Sequence, residues 1–526
     1  MGQITYRGNL SARAFPLIAE QFGRTVIVGG QDQNFNRQIQ SEADIDKDRG
    51  IPQVYYCHNV MPTAEGLQSI GYTDRIAAAD DPVVDNFVAI YTSQNVDFQP
   101  VLIAHTRDGR NFELNVFNQW VEVNTIPGTT PFTVITTAIV GGQTYFCFSG
   151  LGVYYFDQVT HLFVKVTLIG VSDADVRGIT SSSGYLIAWT KNYVGWSSAL
   201  AHLIVSDPFD FTPSLVTGAG GGQVEDAKGL INICVPHQMG FIMYCNQNAV
   251  GAVYTNNARF PFNFKEIPGA GGLIDIALIS TESNSTNHYA YTTAGLQSVT
   301  MTSGVPVMSE VSDFLSGKYF EDFDDNTNTF SHVALTVPMN KAINVVVDRY
   351  VVISYGRFFN GTVTKFTHAL VYDLGQKRFG KLKIDHEDVY NYGFASLSDA
   401  NFSDSIRESV GFFHRTGMVK TVNFEVTDDT ANGTLVLGKY QYVRSRLLTL
   451  DGIELENIFP TSTFSVSNLL SLDGKNTSLR AVTAIDPVGN LRTYAVRQTG
   501  INHSLLIKGS FYLSSILLKF HISGRR

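Results

Sequence analysis

The chain has 526 residues, and its densest cluster of chemistry-bearing side chains is Glu321, Asp322, Asp324, Asp325, Asn326 and Asn328. Carboxylates and amides at this spacing offer oxygen ligands to a hard cation, so Asp322, Asp324 and Asn326 are the candidate metal ligands. A carboxylate pair is also the minimum for glycoside cleavage, where the separation of the two groups decides the outcome. The competing reading is a solvated acidic loop, and it is the one adopted here. Asp44, Asp46 and Asp48 with Gly50 have the spacing that opens a helix-loop-helix calcium site. The pattern then fails, because the twelfth position is Tyr55 instead of Glu and no helical periodicity flanks it.

Other chemistry is excluded by what the motifs lack. Gly218-Ala219-Gly220-Gly221 and Gly269-Ala270-Gly271-Gly272 are glycine-rich. Neither lies between a strand and a helix, as a dinucleotide cradle must, and no Gly-Lys-Ser/Thr follows. There is no Gly-x-Ser-x-Gly elbow. The twelve histidines are scattered without a His-x-x-x-His pair. His237 and His521 sit beside apolar residues and read as structural. Cys57, Cys147, Cys234 and Cys245 have no zinc spacing and read as buried free thiols in a reducing compartment. The expectation is therefore no catalysis, no cofactor and no resident metal.

The elements that would carry these residues are strands. Short β-branched and aromatic runs alternate with Gly, Asn, Asp and Ser, which is an all-β pattern. The best helix candidate, Ala12 to Phe22, contains Pro16 and is short. Two stretches repeat each other. Gly184-Tyr185-Leu186-Ile187-Ala188-Trp189-Thr190-Lys191-Asn192-Tyr193-Val194-Gly195 aligns with Gly240-Phe241-Ile242-Met243-Tyr244-Cys245-Asn246-Gln247-Asn248-Ala249-Val250-Gly251. Each leads into a second matching piece, Pro208-Phe209-Asp210-Phe211 or Pro261-Phe262-Asn263-Phe264, and then a glycine run.

A second motif is strand, tight Asn/Asp turn and returning strand, over Asn115–Val123, Val153–Val166 and Leu370–Leu382. The Asn or Asp side chain bonds its own backbone in such a turn. Units recurring every 40–55 residues or so are in the propeller range. Six or seven fit between about 86 and 430. The expected fold is a β-propeller of about six blades over 86–434. Residues 435–526 form a β-sandwich or barrel-like platform, joined by the N-terminal segment 1–85.

Charge is sparse and uneven. Only 16% of residues are charged and the net charge is -9, yet residues 435–526 hold eleven Lys/Arg against five Asp/Glu, a local +6. The rest holds 27 basic and 42 acidic residues, a local -15. Stable DNA binding by so acidic a body works against phosphate repulsion. The basic end points to protein contacts, with Arg444, Arg446, Arg525 and Arg526 as candidates. The N-terminus carries Arg7, Arg13 and Arg24 without an apolar block, so no signal peptide is read. The apolar runs are of strand length, and no stable membrane insertion is expected.

Three groups of residues together carry a resemblance. Cys57-His58-Asn59-Val60-Met61-Pro62-Thr63-Ala64-Glu65-Gly66-Leu67-Gln68-Ser69-Ile70-Gly71-Tyr72 resembles a stretch near the start of tail nozzle (tail tube) proteins of short-tailed bacteriophages. Trp196-Ser197-Ser198, Asp207–Ser214 and Thr217-Gly218-Ala219-Gly220 resemble their blade motif. Ile507-Lys508-Gly509-Ser510-Phe511-Tyr512-Leu513-Ser514-Ser515 through Gly524-Arg525-Arg526 resembles their C-terminal strand. The resemblance implies a structural virion protein, not an enzyme. Six subunits would form a ring below the portal and its adaptor, pass double-stranded DNA outward and anchor tail fibres or spikes. The implied location is the virion tail, assembled in the bacterial cytoplasm. Two other readings stand beside it: a carbohydrate-binding or -cleaving propeller used in host attachment, and a monomeric propeller that serves as an interaction scaffold.

Overall fold

The computed structural model describes the short strands Phe15–Pro16 and Gln38–Ile39 and most of residues 54–525. The main stretches outside that description are 1–14, 17–37, 40–53, 77–85, 199–208, 313–321, 332–338, 392–409, 425–430 and 458–463. Among the described residues strands dominate, and the described helix is a single 3-10 turn, Ile276–Leu278. Phe15–Pro16, inside the helix candidate, is a strand paired with Ile516 and Ser515. Proline favours that outcome, since it lacks the amide a helix interior needs.

Among the described residues there are six separate four-stranded antiparallel sheets. Blade 1 begins with Phe87–Gln94, blade 2 with Ile135–Val140, blade 3 with Gly178–Ser182, blade 4 with Ile231–His237 and blade 5 with Ile279–Thr281. The sixth separate sheet is blade 7, built from Asp388–Asn391, Val410–Phe413 and Val419–Val422. Its outermost strand is Thr73–Ile76, which comes from before blade 1 in the chain. Between blades 5 and 7 lies one more four-stranded meander, Met339–Val346, Tyr350–Phe359, Phe366–Asp373 and Arg378–His386. This is blade 6, and its outer strand runs on into a larger sheet. The first strand of each blade lies innermost against its neighbours, and blade 7 returns to blade 1. Among the described residues the ring thus has seven blades, one more than the six or so expected, and six of them are free-standing sheets.

The platform is two facing sheets. One continues from blade 6 through Val60–Pro62, Leu67–Ser69, Tyr512–Arg525, Arg446–Asn457, Leu491–Gly500 and Thr483–Val488. The other contains Gly433–Tyr442, Asn502–Gly509, Ser465–Ser471 and Thr477–Ala481, with Val54–His58 on its far edge. Leu450, Ile453, Leu455 and Leu513 of the first meet Leu435, Leu437, Leu505 and Ile507 of the second in one core. Ile343, Val351, Ile353 and Leu370 of blade 6 join the same cluster. Burying this many aliphatic side chains, at about 1.5–3 kcal/mol each, makes the joint to blade 6 part of the core.

The hairpin motif lies where its turn chemistry requires. In all three copies it is the outer pair of a blade: blade 1, blade 2 and blade 6. Asn115 Oδ1 accepts the Phe117 and Gln119 amides at 2.9 Å each. Asp157 accepts the Val159 amide at 2.9 Å, and Asp373 accepts the Gly375 amide at 2.8 Å. The longer repeat diverges in its second half. Phe262–Glu266 is the outer strand of blade 4. In blade 3 the outer strand is instead Gly220–Gln223. There Phe209–Phe211 leaves the sheet and bridges Ile169 after blade 2, with Phe211 N donating to Ile169 O at 2.9 Å.

Glycines in and just after the two runs have different duties. A Cβ on Gly272 would overlap the backbone carbonyl of Asn246, whereas a Cβ on Gly222 meets nothing within 4 Å. Gly272→Ala is therefore expected to cost about 2 kcal/mol, because backbone cannot yield as a side chain would. Gly222→Ala is expected to stay within about 0.5 kcal/mol. Denaturant midpoints of the two variants check the contrast.

Candidate functional site

The segment from Cys57 to Tyr72 is the joint between propeller and platform. Asn59 adopts φ 52°, a left-handed conformation that asparagine tolerates better than most residues. Its Oδ1 accepts the Lys383 amide at 2.9 Å and the Tyr72 hydroxyl, and its Nδ2 donates to Asn432 O at 3.2 Å. One side chain thereby holds blade 6, the joint and the entry to the platform. Gln68 Nε2 donates to Phe424 O at 2.6 Å, and Ser69 Oγ accepts the Phe511 amide at 2.8 Å. Val60 pairs directly with Lys381 on the last strand of blade 6.

Lys381 is fully buried at this joint. Its ammonium lies 4.6 Å from the Tyr56 ring centroid and 5.8 Å from that of Tyr355, and Tyr355 stacks on His368 at 5.2 Å. Aromatic faces stabilise a desolvated cation through their quadrupoles. Burial pushes the neighbouring Cys57 thiol up to about 12, with the Lys381 charge working weakly against it. Such a thiol is not a nucleophile at neutral pH. Cys147, Cys234 and Cys245 are also buried free thiols, raised chiefly by burial.

The buried histidines are structural. His288 Nε2 faces the Pro236 carbonyl at 2.8 Å and must donate to it, so Nδ1 accepts from the Tyr244 hydroxyl at 3.0 Å. His386 Nδ1 donates to Ile384 O at 2.9 Å, and Nε2 accepts from Ser354 Oγ at 2.7 Å. Burial lowers His288 to about 3 and His386 to about 4, so both rings stay neutral. His237 is buried in the seam between blades 4 and 5, with its ring 5.3 Å from His288.

Among the described sequence candidates, Arg446 and Arg525 meet as strand partners, and the acidic pair lies on a separate hairpin. Asp322 and Asp324 lie on a two-stranded hairpin opposite Ser331 and Thr329. Asn326 and Glu321, like Asp44, Asp46 and Asp48, lie outside the described residues. Among the described residues no group of three His, Cys, Asp or Glu converges as a metal site requires. Arg446 and Arg525 are directly paired backbone partners on adjoining platform strands, while Arg444 and Arg526 lie outside the described residues. Among the described residues no helix is long and apolar enough to cross a membrane.

A surface feature that sequence reasoning missed is a set of apolar turns. The connection between the two outer strands exposes Phe117 in blade 1, Val159 in blade 2, Leu215 and Val216 in blade 3, and Phe260 in blade 4. Val216 is 97% exposed and Val159 88%. Equivalent turns of consecutive blades share one rim of a propeller, so these side chains form an apolar arc along it. The available signal was a hydrophobic residue inside each polar turn. Val216→Ser is expected to change stability by less than about 0.5 kcal/mol, read by thermal unfolding.

No protein-family model matches the chain, and no curated protein matches it. Among solved structures, the chain is similar to the β-propeller domain of Cps50 (Swd1) from Myceliophteria thermophila, at 11% identity over 67% of this chain and 99% of that one, with a TM-score of 0.38.

Proposed function

We propose that this chain is a structural subunit of the tail nozzle of a short-tailed bacteriophage. In this reading six copies form a ring that docks below the portal and adaptor, conducts double-stranded DNA and anchors fibres or spikes. One observation carries it: a closed propeller whose sixth blade continues into a two-sheet platform made by both ends of the chain. A propeller beside a platform is what the resemblance of the 57–72, blade and C-terminal motifs implies. The joint is buried in a shared core, which suits a wall that must hold its shape under load.

Electrostatics agrees with passage without retention. Several phosphate contacts on a basic wall would hold the duplex by orders of magnitude in affinity at low salt. The acidic bulk avoids that, and the basic 435–526 segment suits a neighbouring protein ring. No catalytic role is assigned to any residue. Electron microscopy of the purified protein, alone and mixed with a portal complex, tests the reading. A sixfold ring with a central channel is expected, and a monomer that ignores the portal overturns it. The apolar arc of blades 1–4 favours a second reading, a monomeric scaffold that binds proteins through that rim. Oligomeric mass separates the two.

A further inference from the structure

The connection between the two outer strands of blade 3 is an insertion. It runs from 197 to 219, whereas blade 2 turns within 158–161. Long connections on a rigid scaffold are where recognition concentrates. From Phe209 onward this one is anchored and shaped. Phe209 and Phe211 enter the core shared by blades 2 and 3, and the Phe209 ring lies 4.9 Å from that of Tyr145. Beyond them comes a closed turn, in which Ser214 N donates to Ala219 O at 3.0 Å and Gly218 N to Ser214 O at 2.9 Å. Ser214 Oγ accepts the Val216 and Thr217 amides at 3.2 and 3.3 Å, and Trp196 Nε1 donates to Gly218 O at 3.1 Å. The tip is Leu215 and Val216, and Val216 is the most exposed large apolar side chain among the described residues. An apolar tip already fixed in shape loses little entropy on binding, as an anchor residue should.

The platform carries a ledge of matching character. Thr477–Ala481 and Thr483–Val488 are edge strands of its two sheets, and Val482 alone joins them, so they form one flank. Leu472 and Leu479 are exposed there, beside the exposed Arg480. Leu479 pairs with Leu469 and so stands at the open end of the apolar group Tyr56, Val436, Leu506 and Leu469. The charges on the two surfaces have opposite sign. Residues 192–227 carry Asp207, Asp210, Glu225 and Asp226 and no Lys or Arg. Residues 472–500 carry Lys475, Arg480, Arg492 and Arg497 against Asp473 and Asp486. The platform springs from blade 6, and counting round the ring in either direction places blade 3 on the far side of the propeller. Two different patches on opposite sides of a subunit are what a head-to-tail contact uses.

We propose that the partner of the blade 3 tip is a second copy of this chain: Leu215 and Val216 of one copy seat on the ledge of Leu472 and Leu479 of the next, between an acidic border on the propeller side and a basic border on the platform side. The inference rests on the ring reading above and names the contact that joins its subunits. Apolar anchors supply the attraction, and the opposed charges fix which surface meets which. Like surfaces, tip to tip or ledge to ledge, would set charges of one sign against each other, so the contact runs one way round and favours a ring over a two-fold dimer.

Cross-linking of the full chain, alone and mixed with a portal complex, tests the contact. The four native thiols are buried, so a short bis-maleimide reports only introduced ones. The double variant Val216→Cys, Leu479→Cys should give a ladder of covalent oligomers, and either single variant should give nothing longer than a dimer. The double variant Leu215→Ser, Val216→Ser should weaken assembly about tenfold or more while its thermal midpoint stays that of the wild type. A sixfold ring that shows no link between positions 216 and 479, or that assembles undiminished in the serine variant, overturns this contact and leaves the ring reading standing. Linked open chains that never close support the contact and overturn the nozzle. A monomer without links, with or without the portal complex, overturns both.

Discussion

Lys381→Ala is expected to lower the unfolding free energy by about 4 kcal/mol, and Lys381→Met by less than about 1.5 kcal/mol. Alanine removes the cation from the Tyr56 and Tyr355 rings and leaves a cavity between blade 6 and the platform. Methionine keeps most of the volume and spares the desolvation of an ammonium, which a buried charge must otherwise offset. Chemical denaturation at pH 7 measures both. If the two variants lose equal stability, the charge itself, and not the filled volume, holds the joint. If neither loses stability, the joint is not a major contributor to the core.

Acid is expected to destabilise the protein through its buried histidines. His288 and His386 have folded-state values near 3 and 4, well below the ordinary 6.5. The unfolded chain therefore binds protons that the folded chain refuses. Their contribution is fully present above pH 6.5 and is lost as pH falls toward the folded values. At pH 5 each is expected to have lost about 2 kcal/mol. His105, also lowered by burial, acts in the same direction. Asp388 acts the opposite way, since its raised value makes the folded state the better proton binder between about 4 and 6. Unfolding free energies from pH 7.5 to 4.5 should fall with a slope that His288→Gln reduces by about one proton. An unchanged slope in that variant would show that burial does not hold the His288 ring neutral.

Local chemistry was legible wherever a side chain acts on its own turn. Asn115, Asp157 and Asp373 were identified from their position in a hairpin, and each bonds the amide two residues on. The four cysteines read as buried thiols because no pair has zinc spacing and Cys234 and Cys245 sit in apolar runs, and they are buried. The repeat at 184–195 and 240–251 marked the second and third strands of adjacent blades. Its continuation misled, because Phe209–Phe211 and Phe262–Phe264 have the same residue pattern and different partners. An edge strand and a bridge to the preceding blade both satisfy one face of two phenylalanines.

The division follows from the range of the forces involved. Strand period, turn residues and the distribution of charge were determined by the sequence alone, since each depends on neighbours a few positions away. The seventh blade, the Lys381 joint and the pairing of Thr73–Ile76 with blade 7 were decided only by tertiary structure. They depend on pairings across hundreds of residues, such as Val60 with Lys381 and Asp74 with Lys420. Many strands have edges able to accept such a partner. Which edge does so is settled by the shape of the packed cores.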